Sequence, residues 1–120
     1  MAQVRCFAYT GVLPLVQGSD NGVKVMHTAF TFSGRYLARQ NLAVSASPSV
    51  SSDAAVLGAN AHARLLRVQC DPGIRVHYEL TPQGYDLQEA DTSSPVLSGS
   101  DILEWGPGWR ISLLQAADPS

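Results

Sequence analysis

Between residues 65 and 80 the side chains alternate in character, and this alternation limits what the chain can fold into more than any other feature. Leu66, Val68 and Cys70 alternate with Leu65, Arg67 and Gln69. Beyond Asp71-Pro72-Gly73, the residues Ile74, Val76, Tyr78 and Leu80 alternate with Arg75, His77 and Glu79. A period of two is that of a strand, whose neighbouring side chains point to opposite faces. Each arm can therefore bury one aliphatic row and leave a polar row in water. The two arms read as a hairpin. Facing residues in such a pair share a face, so their numbers add to an even sum. The expected partners are Val68 with Val76, Leu66 with Tyr78 and Arg67 with His77. A two-residue turn at Pro72-Gly73 gives an odd sum and sends half the apolar row into solvent, so a three- or five-residue loop is expected.

Shorter pieces of the same pattern fill the rest of the chain. Residues 4–9 alternate loosely, and residues 12–16 suit an edge strand because Pro14 has no amide to donate. Residues 18–22 end in Asn-Gly and read as a loop. Residues 35–40 admit a short helical turn, whereas 41–45 read as strand. Residues 47–62, mostly Ser and Ala, read as a long surface connection whose one candidate element is a strand at 54–57. Near the end, residues 102–105 and 109–114 read as strands joined by Gly106-Pro107-Gly108. Many short strands between Gly/Pro turns predict an all-β fold: an antiparallel β-sandwich or jelly-roll-like domain. We divide it into an N-terminal β arm or hairpin region, 1–40, and a sandwich domain, 41–120. At 120 residues one core suffices, burying about two-thirds of the unfolded chain's surface.

Charge narrows the partners. The net charge is −2, the only lysine is Lys24 and no basic run occurs, so neither nucleic acid nor an acidic membrane surface is expected as a partner. Charged residues make up 15% of the chain, against about 25% in an average domain. So neutral a surface suits one that partners cover in part. Cys6 and Cys70 lie far apart in apolar patterns and read as buried small hydrophobes. The first residues do not resemble a signal peptide, and no window holds 18 consecutive apolar residues, so synthesis in a cytosol without membrane insertion is expected.

Catalysis needs convergent groups, and the sequence offers none in a recognisable pattern. His62, His77 and Cys70 could supply three zinc ligands, yet the alternation puts His77 and Cys70 on opposite faces. No Gly-x-Ser-x-Gly elbow and no glycine-rich phosphate loop occurs, and Glu79 and Glu104 read as solvated strand residues. No catalytic residue, metal, cofactor or small-molecule substrate is therefore assigned. What does concentrate is a set of aromatic and guanidinium groups. Phe7, Tyr9, Phe30, Phe32 and Tyr36 are five of the nine aromatics, and Arg35 and Arg39 follow them closely. Arg67 and Arg75 share the polar face of the expected hairpin, with Glu79 as an internal partner. Arginine engages carboxylates bidentately, so Phe7, Tyr9, Phe30, Phe32, Arg35, Arg39, Arg67 and Arg75 form the candidate interface with a partner protein.

From Leu42 onward, about two-thirds of the chain resembles a group of small tailed-phage virion proteins. The likeness lies in Asn41-Leu42-Ala43-Val44-Ser45, in Ser51-Ser52-Asp53-Ala54-Ala55-Val56-Leu57, and in Arg67-Val68-Gln69-Cys70-Asp71 running into Ile74-Arg75-Val76. It continues in Thr92-Ser93-Ser94-Pro95-Val96-Leu97 and through residues 103–112, which include Trp105-Gly106-Pro107-Gly108-Trp109. Residues 1–39 have no counterpart. The resemblance implies a non-enzymatic β protein of the virion, most simply a homotrimeric decoration or cement protein on the capsid surface. Its partner would then be the major capsid protein, with residues 1 to about 40 making much of the contact. A carbohydrate-binding module of a tail or fibre, stacking sugars on Trp105, Trp109 or Tyr85, is the alternative. A small enzyme is a third.

Overall fold

In a computed structural model, described over residues 2–11 and 35–117, period-two patterning becomes strand at nearly every place the sequence carries it. Eight strands are present among these residues: β1 (Ala2–Tyr9), β2 (Tyr36–Val44), β3 (Val50–Ser51), β4 (Leu65–Cys70), β5 (Arg75–Thr81), β6 (Val96–Ser98), β7 (Ser100–Glu104) and β8 (Arg110–Gln115). They form two four-stranded sheets, ordered β2-β1-β4-β7 and β3-β8-β5-β6, with every pairing antiparallel. The fold is all-β, as expected.

Both sheets contribute to one core. Val4, Cys6 and Ala8 of β1 sit opposite Val68 and Leu66 of β4 or beside them, and all five are fully buried. From the second sheet, Val76, Ile111 and Leu113 join the same cluster. Residues 2–9 are thus an inner strand, paired on one side with β2 and on the other with β4. The division at 40/41 falls inside β2. The edge strand expected at 12–16, and Phe30 and Phe32, lie outside the described residues.

The central hairpin does not form. β4 pairs with β1 and β7, whereas β5 pairs with β6 and β8, so residues 71–74 carry the chain from one sheet to the other. Val68 and Val76 are both buried, but they approach through side chains rather than across a backbone ladder. Evenness of the sum holds for strands side by side and for strands stacked face to face, so alternation cannot separate the two. The turn explains the choice. Asp71 accepts from the Ile74 amide (3.1 Å) and the Gln3 amide (2.9 Å at Oδ2), and its own amide donates to the Gln3 carbonyl (3.1 Å). Gly73 takes φ 78°, a left-handed conformation that glycine adopts without strain. With the turn tied to β1, both edges of β4 are taken. His77 consequently lies opposite Val96 and Leu114, not Arg67.

Two local expectations also change. Residues 54–57 form a helical turn, α1 (Ala54–Leu57), because Asp53 caps it by accepting from the Ala55 amide (2.9 Å) while Leu57 alone is buried beneath it. Residues 36–40 are strand and not a helical turn, since β1 offers partners to Tyr36, Ala38, Arg39 and Gln40, with Leu37 standing out at the register shift. In β8, Ser112 and Leu114 are buried along with Ile111 and Leu113. Residues 82–95, which contain no strand, cross the outward side of the second sheet. Gln88 donates to Thr81 Oγ1 and Ala90 to Ser112 Oγ, both at 2.9 Å.

Candidate functional site: an open sheet face

The outward side of the first sheet has no such covering segment among the described residues. Since Val4, Cys6 and Ala8 face the core, Arg5, Phe7 and Tyr9 must face outward. The registers then fix their neighbours. Phe7 lies directly opposite Arg39 on β2 and Arg67 on β4, and Arg67 lies opposite Ile102 on β7. One row over, Tyr9 lies opposite Tyr36 and Leu65. A register shift between Ala8 and Tyr9 swings Tyr36 toward Phe7, and ring centroids stand 6.4 Å apart for Phe7 and Tyr36 and 5.9 Å for Tyr9 and Tyr36. Tyr36 is 54% and Ile102 46% exposed, so the band presents apolar surface to solvent.

Guanidinium groups flank it. Arg5 reaches Asp71 at 3.5 Å, in the one ion pair among the described residues. Arg67 Nε donates weakly to Ser100 Oγ (3.4 Å), and the Arg39 side chain has no hydrogen bond or ion pair among the described residues. Arg35 closes the band at one end, where its amide donates to Thr10 Oγ1 (2.7 Å) and its carbonyl accepts from the Thr10 amide. A depression lined by Arg67, Ser100, Asp101 and Ile102 opens to solvent at the β7 margin.

The sheet therefore brings Phe7, Tyr9, Arg39 and Arg67 together, with Arg35 at the border. Arg75 is the exception: it lies on the second sheet, where it donates to the Ala117 carbonyl (2.9 Å). Its placement beside Arg67 required the hairpin that does not form. Tyr36, Leu65, Ile102 and Arg5 belong to the face although the sequence reading did not select them. Tyr36 carried a signal in its closeness to Arg35; Ile102 carried none, because strand parity at 100–104 shows only once β7 is set against β4.

Elsewhere, reactive groups are held apart. His77, on the outward side of the second sheet, places Nδ1 2.9 Å from the Ser94 carbonyl, while Cys70 faces the core from the first. Burial, aided by neighbouring Cys70, pushes the Cys6 thiol from its ordinary 9.0 up to about 12, and burial followed by the Asp71 charge raises Cys70. Both cysteines are free. Trp105 is 2% exposed, its Nε1 donating to the Leu57 carbonyl (3.1 Å) and its ring tilted against Trp109. On the segment 82–95 the Asp91 carboxyl is held below the usual range, first by the Ser93 hydroxyl, then by the Ser93 amide and by Ser94. No protein-family model, curated protein or solved structure matches the chain.

Proposed function

We propose that the chain is a non-enzymatic structural protein of a tailed-phage virion, a decoration or cement protein built on a β-sandwich. Made in the host cytoplasm, it settles on the capsid surface as a homo-oligomer, most simply a trimer. There it bridges joints between major capsid protein subunits and stiffens the head. The observation that supports this reading is the open face of the first sheet, where Phe7 stands between Arg39 and Arg67 with tyrosines alongside. Aromatic and arginine side chains together are the composition that protein interfaces favour. Cosedimentation of the full chain with empty heads from the phage that encodes it is the test. Saturable binding, with heads that resist heating better once decorated, is the expected result. Absence of the chain from purified virions by mass spectrometry, together with no binding to heads, overturns it.

The alternative reading, a carbohydrate-binding module, draws its support from Tyr85, which is 69% exposed. Trp105 cannot serve it, being buried beneath α1. Glycan-array binding that disappears in Tyr85→Ala is the result that favours it.

A further inference from the structure

On the open face Arg39 and Arg67 have no ion pair among the described residues, with Glu104, opposite Leu65, and Asp101 at the β7 margin and Asp71 taken up by Arg5. The same chain carries a surface of the opposite kind on its other side. Residues 82–95 contain Asp86, Glu89 and Asp91, all exposed, and no Lys, Arg or His. Arg110 lies beside them, but its guanidinium is directed to the Tyr85 carbonyl (3.0 Å). Tyr85 projects from the same segment. We propose that the outward face of the first sheet docks on segment 82–95 of a second copy, head to tail. This inference rests on the reading of that face as a docking surface and names its occupant.

Charge argues for this occupant over the same face of another copy. Face against itself, a two-fold contact would bring the Arg39–Phe7–Arg67 row onto its own image and set guanidinium groups against one another, which costs free energy. Face against the acidic segment, each arginine meets a carboxylate, and Tyr85 meets the ring cluster of Phe7, Tyr9 and Tyr36. The two surfaces lie on different sheets and do not compete, so each copy can donate one and accept the other. Such a contact is heterologous. Repeated, it closes into a ring if the rotation per step allows and otherwise extends as a row.

Sedimentation equilibrium of the full chain provides the test, at low and at high ionic strength. Wild type associates with concentration and does so less in high salt, because exposed charge pairs are screened. Arg39→Glu/Arg67→Glu and, separately, Asp86→Arg/Glu89→Arg each weaken self-association by about tenfold or more. Mixing the two variants restores it, since reversed face then meets reversed segment. Arg39→Gln/Arg67→Gln repeats the first arm with a milder change, and circular dichroism verifies the fold of each. A wild type that stays monomeric at every concentration overturns the proposal. So does association that either reversal leaves untouched, or that mixing fails to restore. Binding to empty heads is read in parallel. Heads bound without self-association refute this contact and leave the virion role standing, whereas self-association without head binding does the reverse.

Discussion

Cys6 illustrates how a single buried group carries a pH signature. Its thiol is fully buried and its pKa rises from 9.0 to about 12. Below pH 9 the folded and unfolded chains both hold the proton, and stability is unaffected by this group. Between 9 and 12 the unfolded chain gives the proton up while the folded one keeps it, so stability falls as pH rises across that window. Urea unfolding between pH 8 and 10.5 will decline less steeply in Cys6→Ala than in wild type; equal slopes would contradict the assignment. In the native state a thiol reagent at pH 8 will leave Cys6 unlabelled until denaturant is added. Packing gives a second contrast. Leu66→Ala opens a cavity in the shared core and will cost about 3 kcal/mol, whereas Ile102→Ala, on the open face, will stay within about 0.5 kcal/mol in the same urea assay. Sequence made most of these positions legible, since alternation marks Leu66, Val68 and Val76 as inward. The burial of Ser112 and Leu114 was not legible, because they lie on the other face of β8 and are covered by residues 82–95, a segment without periodicity.

At the scale of elements, strands were legible and their partners were not. Alternation states which side chains share a face, but nothing in residues 65–80 says whether the next strand lies beside or across. The candidate site inherits that limit: Phe7, Tyr9, Arg39 and Arg67 meet because β1 lies between β2 and β4, and Arg75 drops out because β5 belongs to the other sheet. Helix α1 escaped notice for a related reason, as a single turn is too short for a 3.6-residue period to show. Its docking rests on a close approach of backbones. The Gly58 carbonyl accepts from the Gly108 amide at 2.8 Å, and a Cβ on Gly58 would stand 2.8 Å from that nitrogen and 2.9 Å from the Ala54 oxygen. Neither neighbour is a movable side-chain tip. Gly58→Ala will therefore destabilise by about 1–3 kcal/mol, the usual cost of forcing atoms into a filled space. It will also red-shift tryptophan emission, because Trp105 is anchored to the Leu57 carbonyl one residue away. Unchanged stability and emission would show that the two backbones part without cost.

Across the whole molecule, neither sheet is contiguous in sequence. The chain changes sheets between β2 and β3, β3 and β4, β4 and β5, β6 and β7, and again between β7 and β8. Each crossing ties the halves together. The Gln115 amide at the end of β8 donates to the Ser45 carbonyl just beyond β2, joining the second sheet to the first. Removing the first 40 residues would take away β1 and half of β2, exposing Leu66 and Val68, so such a truncation measures folding and not docking; charge reversals on the open face avoid that. The same interleaving predicts a single cooperative transition. Trp105 and Trp109 flank the crossing from β7 to β8 and report the junction, whereas far-ultraviolet circular dichroism reports both ladders. If the sheets depend on one another, the two signals will give superimposable urea curves with one midpoint and a slope of about 1–3 kcal/mol per molar. A fluorescence change that precedes the loss of β signal would mean that one sheet outlives the junction, and the shared core would then be two cores in contact. Long-range pairing also sets the pace: with β1 waiting for β2 and β4, refolding belongs in the millisecond-to-second range of β proteins rather than the microseconds of local helical folds.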